Sequence, residues 1–215
     1  MSEGYFPVFF DIETTGLNPL AQEWHYNQNY DAQVYAVSLG TFPGWPEDTD
    51  NKDVTIVWDK DEYRMLDNLR KQMKSIRDSV VPEDSEPYLV GYNSREFDHP
   101  YLVARYSRKR QDPFPFCHSW KRLDMMKILF YETGKNWKED EYAEFLGIEV
   151  DDEYTGEDMP EAFANEEWEK IFEHVRSDTE VLMEMFAEEK EMFVSGFYSH
   201  YDIDRDVLSF DDVDL

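Results

Sequence analysis

Hydrophobic and polar positions alternate along this chain in two rhythms. Tyr5–Phe10 is a short, almost unbroken apolar and aromatic run, the pattern of a buried strand. Gln33–Phe42 (QVYAVSLGTF) alternates and predicts a second strand, and Val54–Trp58 (VTIVW) a third. Lys60–Val80 places Leu66, Leu69, Met73, Ile76 and Val80 at helical spacing. Tyr88–Gly91 reads as a short strand. Asp98–Arg110 (DHPYLVARYSRKR) reads as a helix with Asp98 at its start, Pro100 in its first turn, and Pro113 and Pro115 beyond its end. A short strand is allowed near His118–Leu123. Helices are expected over Leu123–Tyr131 and over Glu139–Leu146, the second stopped at Gly147. Asn165–Phe193 is the longest helical pattern, with Trp168, Ile171, Phe172, Val175, Leu182, Met185 and Phe186 as its apolar positions. The connection Asn18–Asp31 is long for a hairpin loop and is expected to form a flap. Three adjacent strands, a helix, a strand and then mostly helices describe an α/β domain on a mixed sheet.

Charge changes that picture. The 215 residues suit one domain, yet the formal net charge is −28, far outside the ~2–8 of a small domain. Such a surface stays solvated in molar salt, where the Debye length falls to ~3 Å, so a halophilic source is expected. The charge is also uneven. From Glu149 onward there are 23 acids and 4 bases, whereas Arg95–Lys127 holds 8 bases and 4 acids. Residues 1–195 are expected to form the domain and 196–215 an acidic tail. The lone cysteine, Cys117, allows no internal disulfide and suits a reducing compartment. No run approaches the ~18 apolar residues of a membrane span, and MSEGYFPVFF lacks the features of a signal peptide. The expectation is a soluble, cytoplasmic protein with no membrane partner.

Three stretches carry chemistry. In FFDIETTGL (9–17), Asp11 and Glu13 are two apart on a strand, so both carboxylates share a face. Like charges that close raise each other's pKa unless a cation binds, and hard divalent ions prefer such oxygen ligands. Gly16 suits a tight turn. In GYNSREFDHPYL (91–102), Asp98 begins a helix just after Asn93 and Phe97; an N-cap is the plain reading there. In FEHVRSDTEVL (172–182), His174 and Asp178 are four apart and share a helix face, with Asp178 set in apolar periodicity.

In that order, the DIETTGL, N-x3-F-D and H-x3-D runs resemble the three motifs of the DEDD exonuclease superfamily, and particularly the 3′–5′ proofreading exonuclease domains of family B DNA polymerases. RLDMMKILF (122–130), YAEFLGIE (142–149) and DMPEAF (158–163) are similar to phrases preceding the last motif there. The resemblance runs from about Tyr5 to Phe186. It implies a ribonuclease H-like fold, a mixed five-stranded sheet flanked by helices. It also implies two Mg²⁺ or Mn²⁺ ions held by Asp11, Glu13, Asp98 and Asp178. Asp11 would bridge the ions, Glu13 and Asp178 would complete one, and Asp98 would hold the other, partly through water. The activity implied is 3′–5′ exonucleolytic hydrolysis at single-stranded ends, DNA before RNA. Thr14, Gly16 and Leu17 would contact the strand.

His174 departs from the pattern. It has the spacing of the branch that carries tyrosine and the side chain of the branch that carries histidine. On a helix, a residue four back lies ~40° from Asp178 and one five back ~140° away, so His174 can lean over the same site. A free imidazole near pKa ~6.5 is a better base at neutral pH than a phenol near ~10, and His174 is expected to orient or deprotonate the attacking water. Around the second motif, Arg95, Arg105, Arg108, Lys109 and Arg110 are placed to neutralise phosphates. Phe97 and Tyr101 are candidates to stack on terminal bases, and Asn93 to contact substrate. A replication or repair partner is a further expectation. The competing readings are a non-catalytic nucleic-acid or replisome module on the same scaffold, and an acidic interaction protein acting through Asp202–Leu215. Two acidic runs are set aside: EDTD (47–50) lies in a Pro- and Gly-containing loop, and DIDRD (202–206) has Val207 and Val213 where a calcium loop needs Gly and Glu.

Overall fold

The computed structural model describes residues 4–16, 32–110, 120–150 and 154–196. Five strands are present there: β1 (Gly4–Thr14), β2 (Val34–Thr41), β3 (Asp53–Trp58), β4 (Ser85–Gly91) and β5 (Lys121–Asp124). The helices are α1 (Glu62–Ser79), α2 (Asp98–Arg110), α3 (Met125–Thr133), α4 (Glu139–Leu146), α5 (Met159–Ala164) and α6 (Trp168–Glu188). The sheet order is β3-β2-β1-β4-β5. β1 pairs antiparallel with β2, and β2 with β3, while β4 runs parallel to both β1 and β5. This is the expected mixed five-stranded α/β sheet flanked by helices.

β1 is central, which explains its unbroken apolar run: both faces are covered. Phe6, Val8, Phe10 and Ile12 enter one core with Leu66, Leu69 and Met73 of α1 and Leu102 of α2. Phe9 points the other way, into a core with Leu129 of α3, Tyr142 of α4 and Leu182 and Phe186 of α6. By strand alternation, Asp11 and Glu13 continue the face of Phe9, the face that α6 covers.

Two local differences from the sequence pattern matter. β1 runs on through Thr14, so Asp11 and Glu13 lie within the strand, paired with Ser38 and Ala36. The expected helix Asn165–Phe193 is interrupted. Glu166 takes φ 61°, which separates α5 from α6, and the helical path breaks again at Glu189 before a short stretch over 190–196.

A buried ion pair ties the sheet to its first two helices. Arg105 of α2 donates to the Glu62 carboxylate of α1 at 2.7 and 2.5 Å. The same carboxylate accepts the Val34 N–H at 2.9 Å, at the start of β2. The Tyr101 hydroxyl donates to the Ala32 carbonyl at 2.6 Å, just before that strand.

Candidate active site

Small residues bring the third motif to the first. Ala36, Ser38 and Gly40 of β2 lie beneath α6. A Cβ on Gly40 would stand 2.6 Å from Met183 Sδ and 2.9 Å from Thr179 Cγ2, so only glycine lets the helix sit this close. The Ser38 and Thr179 hydroxyls hydrogen-bond across the contact. Asp178 is the neighbour of Thr179 and is carried to the acids of β1. His174 Nε2 lies 3.4 Å from Glu13 Oε1 and 3.5 Å from Asp178 Oδ2. His174 and Glu13 are buried, while Asp11 and Asp178 are half-buried.

The second motif arrives through a tight turn. A Cβ on Gly91 would meet Ser94 Cβ at 2.6 Å, so β4 can turn sharply there only without a side chain. Asn93 takes the left-handed region at φ 52°. The Asp124 carboxylate, at the end of β5, accepts the N–H groups of Asn93 and Arg95 at 3.1 Å each and of Lys127 at 3.3 Å. This anchors the turn and caps α3 together. Asp98, in the first turn of α2, is 8% exposed. Burial, then Asp124 and Glu13, push its pKa up to about 8. Asp11 is raised well above the ordinary carboxylate range by burial, then by Asp98, Glu13, Asp178 and Glu139. The acids of all three stretches therefore act on one another across a single site.

Sequence reasoning missed three members. Glu139 opens α4, and its pKa is raised by burial, then by Asp178, Asp98 and Asp140, with His174 opposing. Acids in a first helical turn are ordinary, so nothing singled it out. Asp124 reads as a plain helix cap. Tyr35 is the extra residue of a β-bulge. Glu13 faces Ala36 but Thr14 faces Val34, and the slip turns Tyr35 to the side of Ala36, into a cluster with Met159, Ala162 and Val175. Its phenol is kept protonated by burial, then by Glu13 and Asp11.

Residues 8–188 match the family model RNase_H_2, described as RNase_H superfamily. The chain belongs to the RNase_H superfamily. No curated protein matches the sequence. Among solved structures, an inhibitor-bound exonuclease I matches with TM-score 0.57 at 13% identity, over 94% of this chain and 44% of that one. A zinc-bound complex of E. coli exonuclease I with single-stranded DNA gives 0.56 and 14%, over 92% and 43%. Apo exonuclease I gives 0.55 and 14%, over 93% and 45%. At these identities the likeness is one of fold, and this RNase_H-superfamily chain spans less than half the length of those proteins.

The expected strand-contacting residues fare differently. In the RNase_H-superfamily chain, Thr14 is buried and its hydroxyl donates to the Gly16 carbonyl at 2.6 Å. Gly16 is half-buried beside Ala32. Asn93 and Arg95 sit on the Asp124-anchored turn, and Arg108 is exposed on α2. Phe97 is half-buried, stacked on Tyr101 at 5.3 Å and packed against the core. Two expectations are corrected. Arg105 is 3% exposed and spent on Glu62, so it faces no strand. Tyr101 is 2% exposed, with its hydroxyl on Ala32. Leu17, Asn18–Asp31, Cys117 and the tail from 197 lie outside the described residues. Among the described residues, no helix is long and apolar enough to cross a membrane.

The donor set suits a hard divalent cation. Carboxylates from three elements face one another, and the buried Asn93 Oδ1 has no hydrogen-bond partner among the described residues. Among the described residues, no three His, Cys, Asp or Glu side chains are placed to hold a metal ion as they stand. The fit is therefore of chemistry and charge.

The raised Asp98 pKa has a stability consequence. An unfolded aspartate titrates near ~3.9, whereas the folded one holds its proton up to about pH 8. Its contribution is full below about pH 4 and is lost as pH rises to about 8. In chelator, the melting temperature is expected to fall over that window, and Asp98→Asn to flatten the fall. Identical melting profiles for wild type and variant would contradict the assignment.

Proposed function

We propose that the chain is a metal-dependent 3′–5′ exonuclease of the DEDD type, acting on single-stranded nucleic-acid ends, DNA before RNA. The observation that carries this reading is the meeting of the third motif with the first, His174 Nε2 standing 3.4 Å from Glu13 Oε1 and 3.5 Å from Asp178 Oδ2 on the strand face that Asp11 shares. The exonuclease I structures bound to single-stranded DNA support it through shared fold. Asp11, Glu13, Asp98 and Asp178 would hold two divalent ions, Mg²⁺ or Mn²⁺. Such ions, when bound, stabilise charge on the phosphoryl oxygens and lower the pKa of water. The chain's own part is to position and to move a proton. His174 Nε2 takes the proton of the attacking water, and Glu13 and Asp178 on either side stabilise the imidazolium that results. Asn93 and the exposed Arg108 contact the strand. The acidic surface suits a high-salt source, where phosphate contacts are weak.

The test is a degradation ladder in molar KCl on 5′-labelled single-stranded DNA and RNA, with Mg²⁺, Mn²⁺ or chelator. The expected result is metal-dependent shortening from the 3′ end. Shortening from the 5′ end, or cleavage in chelator, would overturn the reading. His174→Ala is expected to slow the ladder by about 10²-fold or more. A loss under about threefold would remove His174 as the base. The spacing of His174 favours one alternative, a non-catalytic binding module on this scaffold. Strand binding without cleavage in any metal would establish that alternative.

A further inference from the structure

An aromatic frame stands beside the turn of the second motif, its inner rings packed on the core and its outer ring in water. The Trp137 carbonyl accepts the Tyr92 hydroxyl at 2.9 Å, which pins residue 137 beside the turn of the second motif. Glu139 follows two residues later and opens α4. α4 then carries Tyr142, which is buried, and Phe145, which is 67% exposed. The three rings hold one another. Centroids are 5.4 Å apart for Trp137–Tyr142, 5.3 Å for Trp137–Phe145 and 5.9 Å for Tyr142–Phe145, the last pair stacked at 24°. The Lys135 ammonium lies 3.4 Å from the Trp137 ring centroid and pairs with Glu141 at 3.1 Å. Trp137 is thus gripped from two sides, while Phe145 rests on Tyr142 and turns most of its surface to water.

A singly exposed phenylalanine is unremarkable on any protein. This one differs in two respects. It is packed on two other rings, and it stands against Trp137, whose carbonyl is fixed to Tyr92, the residue before Asn93 of the second motif. Lys135 and the exposed Lys138 are the nearby cations, on a chain whose overall charge of −28 repels phosphate.

We infer that the outward face of Phe145, framed by Trp137 and Tyr142, is a stacking platform for a base of the single strand whose 3′ end lies among the acids. The inference rests on the nuclease reading above for the identity of the strand. Every base has a π-face, so the platform accepts all four, and stacking is little screened by salt. The bases supply the affinity that the phosphates cannot.

The experiment separates binding from cutting. Fluorescence anisotropy of a labelled ten-residue oligo(dT) is measured in chelator and molar KCl, beside an abasic strand of equal length. Wild type is expected to prefer the base-bearing strand, and Phe145→Ala to lose about 5- to 150-fold in affinity for it, the worth of one stacked base. Phe145→Trp should retain the preference. Hydrolysis of a thymidine 5′-aryl phosphodiester, too short to reach Phe145, should be unchanged in Phe145→Ala. Equal binding of the two strands by wild type overturns the platform, whatever the nuclease does. Unchanged affinity in Phe145→Ala overturns it as well, and points to another occupant of the patch, such as an apolar segment of a partner protein. An equal loss on the short diester overturns it in favour of a purely structural role. A wild type that prefers the base-bearing strand but never cuts sinks the nuclease reading and upholds the platform.

Discussion

Asp11→Asn is expected to abolish strand degradation, by about 10³-fold or more, while making the metal-free protein more stable. The two effects share one cause. Asp11 sits among Asp98, Glu13, Asp178 and Glu139, and burial and those charges all raise its pKa. In the absence of a cation, burial and each of those neighbours oppose its ionised form. Asparagine keeps the shape and removes the charge, so the chelated variant should melt a few degrees higher at neutral pH. The same change removes a carboxylate of the proposed metal site, and an ion bound there would supply several kcal/mol of transition-state stabilisation. A melting scan in chelator and a ladder assay with Mg²⁺ on the same preparation decide the matter. Loss of activity with loss of stability would make Asp11 a structural residue. Stability gained with activity retained would remove it from the proposed metal site.

Breaking the pair of Glu62 and Arg105 should do the opposite. Both side chains are almost wholly buried, at 1% and 4% exposure, and the carboxylate also serves the Val34 N–H. Arg105→Ala leaves that carboxylate inside the protein with Lys109, at 3.4 Å, as its remaining cationic neighbour. Removing one partner of a buried pair costs about 3–5 kcal/mol, which for a chain of this length lowers the melting temperature by about 10 °C. Replacing both members, Glu62→Met with Arg105→Met, should recover a good part of that loss, since the paired charges were costly to bury. Turnover per folded molecule should stay near wild type well below the melting point. A strand-binding defect in Arg105→Ala at full stability would instead restore Arg105 to the nucleic-acid surface.

The helices that were legible in the sequence are those closed by local chemistry. α2 begins, and α4 begins and ends, at the residues expected, because proline near the start of one and Gly147, at φ 77°, after the other act within a turn of the boundary. α5 was not legible as a separate element. Its break from α6 depends on Glu166 in a left-handed conformation, which glutamate does not advertise. Asp11 and Glu13 look like the end of a strand because they are polar, yet β2 pairs with them through Ala36. The shared face of the first motif and the pairing of His174 with Asp178 follow from periods of two and four, and both were readable. Arg105 was misread because its partner is 43 residues away, and helix arginines near a motif look alike until one is buried. Glu139 was invisible for the same reason: its significance lies in which acids it faces, and that is set by how α4 packs on α6.

Ala36, Ser38 and Gly40 have a consequence for how this protein can vary. They offer no acid, base or metal ligand, yet they set the gauge between the strand that bears Asp11 and Glu13 and the helix that bears His174 and Asp178. The spacing of the proposed site is thus set by atoms that are missing. A methyl group added at Gly40 would meet Met183 and Thr179 and push α6 off β2, parting His174 and Asp178 from Asp11 and Glu13.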